Sequence, residues 1–225
     1  MNEKLIHPDW EFQIKLEDGN STILVIENPS NLRKTLVELI AQSKGEDGNF
    51  VFSDDKCELS IRDRFSIVTD ILNLNPVSKK VSSRIQQMIK EKIVSEEHYV
   101  ETMELISHIE KYADILESDF WFSLSHEPYD IDSLLKMLNL HLTVDYDNEV
   151  ERVLEYMNTM HEICGVDCFV YVSLFSLFNS EELKTIVLES SSNKHNIIFL
   201  ENREPEMMPC DIKKVIIDQD FCQVF

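Results

Sequence analysis

The stretch Cys168-Phe-Val-Tyr-Val-Ser173 decides the predicted fold, because it continues an alternation of apolar strands and helices. A helix that starts at Asn179 or Ser180 follows it, and the apolar run Asn196-Ile-Ile-Phe-Leu-Glu201 comes next. Strands and helices that alternate at this spacing are typical of βαβ units, whose crossover helices produce a parallel sheet. We therefore predict an α/β fold with a mainly parallel sheet, to which the stretch Leu140-His-Leu-Thr-Val144 would add a strand.

The amino-terminal part of the chain has an antiparallel pattern. Apolar and polar residues alternate from Trp10 to Leu16, as in a half-exposed strand. A turn at Asp18-Gly-Asn20 then leads into Ser21-Thr-Ile-Leu-Val-Ile-Glu27. We therefore predict an amino-terminal antiparallel portion of the sheet.

The loop after Glu27 contains no glycine, and the whole chain has only four glycines. Nucleotide-binding α/β proteins place glycines in this loop, because only glycine lets backbone N–H groups approach a phosphate closely. Asp70 ends an apolar strand, as the magnesium-binding aspartate of a nucleotide hydrolase does, but no phosphate loop accompanies it. We therefore expect no nucleotide cofactor, and the sequence motifs of several other enzyme classes are also missing.

About forty residues from Pro76 onward carry almost no strand signal and no glycine. An apolar stripe from Val77 to Ile89 predicts one amphipathic helix, and Ser95-Glu-Glu97 is typical of the start of a second. We predict a helical leg over residues 76–130, inserted into an α/β head formed by residues 1–75 and 131–225.

The first predicted leg helix concentrates positive charge in a chain whose net charge is −21. Residues 76–92 contain five bases and one acid, a local charge of +4, so the rest of the chain carries −25. On a helical wheel four of these bases lie away from the apolar stripe, and Lys92 lies on the apolar side, where it can reach the solvent edge. Such a face suits the phosphates of duplex DNA, although an ordinary solvated helix face has the same pattern. The candidate DNA-binding residues are Lys79, Lys80, Arg84, Lys90 and Lys92.

The 225 residues, 43% of them hydrophobic, can bury one core and a smaller helical appendage. The sequence shows neither a signal peptide nor the roughly 20 apolar residues that cross a bilayer, so we expect a cytoplasmic protein without a membrane partner. The odd number of cysteines indicates reduced thiols. His161, Cys164 and Cys168 have a metal-like spacing, but packing is the preferred explanation, because no fourth ligand lies nearby.

Three segments of the chain resemble a known family. They are Thr22-Ile-Leu-Val-Ile-Glu27, Val68-Thr-Asp-Ile-Leu-Asn-Leu-Asn75 and Ile197-Ile-Phe-Leu-Glu-Asn-Arg-Glu204. In order and spacing they are similar to segments of the Csn-two family, the adaptation proteins of subtype II-A CRISPR systems. The intervening helical insertion agrees as well, so the resemblance covers nearly the whole chain.

The resemblance implies an α/β head related to the RecA-like fold but without its nucleotide motifs, together with a helical leg. It also implies a ring-shaped homotetramer that binds double-stranded DNA ends in a central channel. Such a ring would act in spacer acquisition alongside the CRISPR integrase proteins and the type II effector nuclease. In this family Asp70 would serve as a hinge or cap between head and leg.

The resemblance further implies calcium, which family members bind through alternating acids in the second half of the leg. In this sequence Trp121, Ser123 and Ser125 stand where acids would be expected. Hydrophobic docking of the leg through Trp121 and Phe122 is an alternative to a metal. The positions that match best are Asp119 and Glu127, with Asp130 as a possible helper.

These observations favour a non-enzymatic, ring-forming protein that binds duplex DNA ends. One alternative is a degenerate nucleotide hydrolase, in which Asp70→Asn would abolish ATP turnover. Another is a protein-binding adaptor whose acidic surface engages a basic partner, and such an adaptor would not bind DNA even at low salt.

Overall fold

The computed structural model describes residues 3–17, 19–206, 212–220 and 222–224. The strands, in chain order, are β1 (Glu3–Ile6), β2 (Ile14–Leu16), β3 (Ser21–Ile26), β4 (Val51–Ser53), β5 (Glu58–Leu59), β6 (Phe65–Val68), β7 (Cys168–Val172), β8 (Asn196–Glu201), β9 (Lys213–Ile217) and β10 (Gln223–Val224). The helices are α1 (Pro29–Ser43), α2 (Ile61–Arg64), α3 (Lys79–Ile93), α4 (Tyr99–Ser118), α5 (Ile131–Leu138), α6 (Glu149–Cys164) and α7 (Ser180–Ser192), and a 3-10 turn spans Leu174–Ser176.

The larger sheet has the strand order β10-β9-β3-β8-β7-β6. Five of its strands are parallel, and β10 pairs antiparallel with β9 at one edge. The central strands β3 and β8 are almost entirely buried, so both faces of the sheet are covered at these strands. This confirms the predicted α/β class with a mainly parallel sheet.

The antiparallel portion is a separate sheet of four strands in the order β2-β1-β4-β5. Its inner side chains, such as Leu5, Ile14 and Phe52, join side chains of the parallel sheet in one hydrophobic core. The sequence predicted that the Trp10–Leu16 stretch would precede β3 as its antiparallel neighbour. Instead β2 covers only Ile14–Leu16 and pairs with β1, whereas β3 pairs in parallel with β8 and β9. The predicted turn includes Asp18, which lies outside the described residues.

Local signals set the ends of the carboxy-terminal helices. The Asn148 side chain accepts the N–H of Glu151 and begins α6, and Gly165 ends it in the left-handed region at φ 69°. A capping box of Asn179 and Glu182 begins α7. The start of α7 agrees with the helix start at Asn179 or Ser180 that the sequence predicted.

One predicted strand is absent. Residues 140–144 form no helix or strand, although Leu140, Leu142 and Val144 alternate with polar residues as they would in a strand. Alternation alone does not make a strand, because its backbone also needs a neighbouring strand to bond with, and this stretch has none among the described strands.

The chain divides into two compact units, residues 1–76 with 144–225 and residues 77–143. The first unit contains both sheets, and the second consists of α3, α4, α5 and their connections. The carboxy-terminal boundary of the helical unit falls between residues 143 and 144. The predicted leg ended at residue 130. The difference arises because α5 packs against α3 inside the helical unit. None of the helices that the structure describes combines the length and apolarity needed to span a membrane.

Candidate functional site

The candidate DNA-binding helix, α3, forms as the sequence predicted. Its N-cap is Ser78, whose hydroxyl accepts the N–H of Val81 at 3.4 Å. Val81 is completely buried and fixes one face of the helix in the small core of the helical unit. All five candidate bases, from Lys79 to Lys92, are exposed. The helix therefore presents its cations to solvent.

Three of these cations have no carboxylate partner. Among the ion pairs of the described residues, none involves Lys79, Lys80 or Arg84. Lys79 and Lys80 also occupy the first turn of α3, which carries no acid. Cations at a helix amino terminus face the positive end of the helix dipole, an unfavourable arrangement that a bound anion would relieve. The first turns of α3 therefore form a positively charged surface.

The other two cations are neutralised within the helical unit. The Lys90 ammonium donates to the Oδ1 atom of Asp132 at 2.6 Å, and Asp132 lies in the first turn of α5. Lys92 forms an ion pair with Glu97, in the connection to α4. The structure thus separates the five candidates into three free bases and two paired ones. The pairing of Lys90 was not visible in the sequence, because it depends on how α5 packs.

The three predicted metal ligands do not converge. Asp119 follows the end of α4 and Glu127 lies in an irregular stretch, both exposed, while Asp130 is the N-cap of α5. The Oδ1 atom of Asp130 accepts bonds of 2.7 Å from both the N–H and the hydroxyl of Ser133. These three side chains are not among the groups whose ligand atoms lie within 4.8 Å of one another. As arranged here, they do not fit a calcium site.

A different set does come together at the end of α4. Ligand atoms of Asp114, Glu117 and His126 lie within 4.8 Å of one another, and the His126 Nδ1 atom is 2.7 Å from the Glu117 Oε1 atom. The hydrogen bond to Glu117 raises the pKa of His126, and the charges of Asp114 and Glu110 act in the same direction. Calcium prefers oxygen ligands, so an imidazole in this set does not match that ion. The raised pKa favours the protonated form of His126, whose positive charge offsets the acids at the negative end of the helix.

The helical unit also exposes a large amount of apolar surface. Sixteen of the twenty-one exposed large hydrophobic side chains in the described part of the chain lie between residues 77 and 143. They include Met103, Tyr112, Ile115 and Trp121, whose exposed fraction of 94% is the highest among them. A unit with few buried side chains and this much apolar surface is typical of one that is covered by a partner.

The position at which nucleotide hydrolases bind phosphate is closed by a cap. The Asn28 side chain accepts the N–H groups of Ser30 at 3.0 Å and Asn31 at 3.3 Å at the start of α1. Pro29, the first residue of this helix, has no N–H group to offer. Phosphate binding at a helix amino terminus needs free N–H groups, and these are already occupied.

Asp70 is also engaged locally. Its two carboxylate oxygens accept the backbone N–H of Asn73 at 3.2 Å and the Asn73 side-chain amide at 2.7 Å. Asp70 thus holds an exposed local turn after β6. The ligand atoms of His161, Cys164 and Cys168 do not come together among the described residues. Cys168 packs in the hydrophobic core, and the His161 Nδ1 atom is 2.9 Å from the carbonyl oxygen of Val166.

Comparison with known proteins bears on the whole chain. The family model for CRISPR-associated protein (Cas_Csn2) matches residues 42–221. Among solved structures, Stu0660 of Streptococcus thermophilus matches with a TM-score of 0.52 and 11% identity, over 89% of this chain and 68% of that chain. At this identity the likeness shows the fold alone.

An ATP-binding cassette of an ABC transporter, MJ1267 in its ADP conformation, is also similar. It has a TM-score of 0.40 and 10% identity, over 90% of this chain and 82% of that chain, a likeness too low to carry an argument. The family match spans the helical unit and most of the sheet-forming unit, including α3 and its bases. The chain belongs to the Cas_Csn2 family of CRISPR-associated proteins, and this membership implies a role in CRISPR adaptation.

Proposed function

We propose that this protein is a ring-forming homotetramer that binds the ends of double-stranded DNA during spacer acquisition and catalyses no reaction of its own. The observation that carries the proposal is the free positive charge at the start of α3. Lys79, Lys80 and Arg84 are exposed and without carboxylate partners in a chain of net charge −21.

Unpaired cations in an acidic protein determine where DNA can bind. An acidic surface repels DNA, so binding has to be confined to a place where cations predominate and can displace counterions. Three cations give weak binding in one chain, because the affinity grows with the number of phosphates that are neutralised. Four copies in a closed ring would place twelve such cations around one lumen, which supports a symmetric assembly.

The apolar surface of the helical unit supports the same assembly. Side chains such as Val100, Met103 and Leu105 lie on α4 and are more than 40% exposed. Burial of apolar surface contributes about 25 cal/mol per Å², so the association of copies through this unit is favourable. An obligate oligomer has interfaces of this apolar kind.

The absence of catalysis rests on the closed phosphate position. The Asn28 side chain occupies N–H groups that a phosphate would need at the start of α1, and the Asp70 carboxylate is bonded to Asn73. This disfavours the hydrolase alternative. The adaptor alternative predicts no DNA affinity, so the DNA-binding experiment decides between it and the proposal.

The double variant Lys80→Ala/Arg84→Ala tests the proposal. It should weaken binding to duplexes of every sequence by a similar factor and flatten the slope of log affinity against log salt by about 1.8, since each phosphate contact contributes about 0.9. The matched control is Lys44→Ala/Lys184→Ala, which removes the same charge from two exposed positions of the sheet-forming unit. Equal effects of the two double variants would mean that only net charge matters and that α3 is not the binding surface.

Calcium stays a prediction of the family resemblance. Binding through Asp119, Glu127 and Asp130 would require these side chains to come closer together than they are in this chain. The triple variant Asp119→Asn/Glu127→Gln/Asp130→Asn should then lose the heat of calcium binding in calorimetry. Unchanged binding would assign calcium to other residues, and no binding to the unaltered protein would remove calcium from the proposal.

The proposed partners follow from the adaptation role. The CRISPR integrase proteins must receive the DNA ends, and the type II effector nuclease acts on the same DNA. We infer that the ring presents a bound end to these proteins. Co-purification with each of them, with and without a DNA fragment, tests the inference.

A further inference from the structure

The connection after α4 exposes an aromatic loop, which we define as residues 119–122. Trp121 is 94% exposed, and the ring of Phe122 meets it edge-on at 5.3 Å between centroids. Phe120 lies 5.2 Å from Phe122, also measured between centroids. Tryptophan is on average highly buried, and an exposed aromatic cluster of this kind marks an interaction site.

The acidic residues around the aromatic loop determine which charge a complementary surface must carry. No lysine or arginine occurs between Lys111 and Lys136. The same stretch contains six carboxylates: Asp114, Glu117, Asp119, Glu127, Asp130 and Asp132. A complementary site must therefore combine an apolar wall for the rings with positive charge at its rim. A membrane surface does not meet this requirement, because its anionic headgroups would repel the acids.

The sheet-forming unit contains a cavity with these two properties. It lies where β3 and β8 end and has a volume of about 560 Å³, a size typical of ligand pockets. One wall consists of aliphatic side chains of α1, and Val37 among them is 63% exposed. Two guanidinium groups, Arg33 on α1 and Arg203 after β8, line the cavity, and Glu27 is its single acid.

We propose that the aromatic loop of one copy of the chain docks into this cavity of a second copy. The chain itself carries both halves of the contact: exposed rings among acids, and a partly exposed aliphatic wall in a cavity that two arginines also line. Trp121 and Phe122 would each bury on the order of 150–250 Å². Arg33 and Arg203 would face carboxylates such as Asp119, which are otherwise without cationic neighbours in sequence. This inference rests on the proposed homotetramer and specifies one contact within it.

The contact is compatible with a closed assembly. Each copy supplies one loop and one cavity, so two copies can exchange loops around a two-fold axis, and successive copies can also pass loops around a ring. Both arrangements leave no unfilled cavity at the end of the assembly. The surface bases of α3 are not used by this contact and stay available for DNA.

Tryptophan fluorescence tests the docking, because the sequence has only Trp10 and Trp121. The donor is the Trp10→Phe variant at low concentration, in which Trp121 is the sole tryptophan. The acceptor, added in excess, is the double variant Trp10→Phe/Trp121→Phe, which is silent. We expect the donor emission to shift to shorter wavelength as the acceptor is added. Should Trp10→Phe not fold, the Trp121 signal is obtained as the difference between the unaltered protein and Trp121→Phe.

Acceptor variants locate the contact. An acceptor that also carries Val37→Glu should produce no shift, because a charge then stands on the aliphatic wall. The matched control is Leu188→Glu on α7, a side chain of similar exposure at 53%, and this acceptor should act like the unaltered one. A short-wavelength emission that persists with Val37→Glu overturns the proposal, whether Val37→Glu is in the acceptor or, where the donor already associates with itself, in the donor. An emission that stays at long wavelength in excess acceptor overturns it as well.

Light scattering and DNA binding on the same samples separate this contact from the proposed function. If the protein is tetrameric and binds DNA while Trp121 stays exposed, the docking is wrong and the proposed function stands. If the protein is monomeric and binds no DNA, the proposed function fails as well.

Discussion

The ammonium group of Lys90 lies 2.6 Å from the Oδ1 atom of Asp132, and this contact joins the last turn of α3 to the first turn of α5. Both side chains are about half exposed, so the pair contributes little to stability. Its effect is electrostatic: it removes one cation from the face that we assign to DNA. The basic surface is therefore strongest at the start of α3 and weaker toward its end.

Releasing Lys90 should strengthen DNA binding. In the variant Asp132→Asn the lysine keeps its charge and loses its partner, so one more cation can displace a counterion. We expect the DNA affinity to rise a few-fold and the salt slope to steepen by about 0.9. Filter binding across a salt series measures both quantities. The double variant Lys90→Ala/Asp132→Asn serves as the control and should lose this steepening; an equal gain in both variants would show that Lys90 takes no part.

The cap of α1 should contribute measurably to stability. Asn28→Ala leaves the N–H groups of Ser30 and Asn31 without their side-chain acceptor, which costs about 1 kcal/mol in the free energy of unfolding. Asn28→Asp keeps an acceptor in the same place and should be close to the unaltered protein. Urea unfolding measures the difference. If Ala and Asp variants were equally stable, the cap would have no energetic role.

Glu201 should make stability depend on pH. This carboxyl is 5% exposed at the end of β8 and accepts the N–H of Phe175 at 3.1 Å; its burial raises its pKa to about 7 from an ordinary value of 4.5. The folded state thus holds a proton that the unfolded chain releases near pH 4.5. This contribution to stability is complete below pH 4.5 and is lost as the pH rises through about 7.

The variant Glu201→Gln removes that dependence. At pH 8 the variant should be more stable relative to the unaltered protein than it is at pH 5, by about 1–2 kcal/mol in the free energy of unfolding. One pKa unit corresponds to about 1.4 kcal/mol, and solvent screening reduces the full value. Urea unfolding at the two pH values tests this. If the difference in stability between Glu201→Gln and the unaltered protein were the same at both pH values, the effect would come from packing and not from ionisation of Glu201.

His126 should have a pKa above the ordinary histidine value of 6.5. The hydrogen bond to Glu117 is the main cause of its raised pKa, so Glu117→Gln should bring the pKa back toward 6.5. Glu127→Gln, which removes a nearby acid in sequence that is not bonded to the ring, should leave it almost unchanged. Titration by NMR of the imidazole protons measures each value. A pKa unaffected by Glu117→Gln would contradict the assigned hydrogen bond.

Buried strands and capped helices were predictable because their signals are local. The run from Asn196 to Glu201 is buried throughout and apolar from Ile197 to Leu200, and Asn179 with Glu182 forms a capping box within four residues of sequence. Strand pairing was less predictable. The alternation from Trp10 to Leu16 suggested one long strand, but Trp10 and Phe12 instead stack on each other at 4.9 Å and only Ile14–Leu16 pairs with β1.

The candidate site was predictable only in part, because some of its contacts join residues that are far apart in the sequence. The five bases of α3 share one stretch of sequence, so their exposure on a helix could be foreseen. That Lys90 is paired depends on Asp132, which is 42 positions away, and the convergence of His126 with Asp114 and Glu117 depends on how the connection after α4 folds back. Neither contact has a sequence signal of its own.

The most direct test of the central claim compares linear with covalently closed DNA of one sequence at near-physiological salt. A ring that loads from ends should bind the linear form and leave the closed form unbound, and cutting the closed form once should restore binding. Equal affinity for the two forms would contradict the ring and assign the bases of α3 to an open surface.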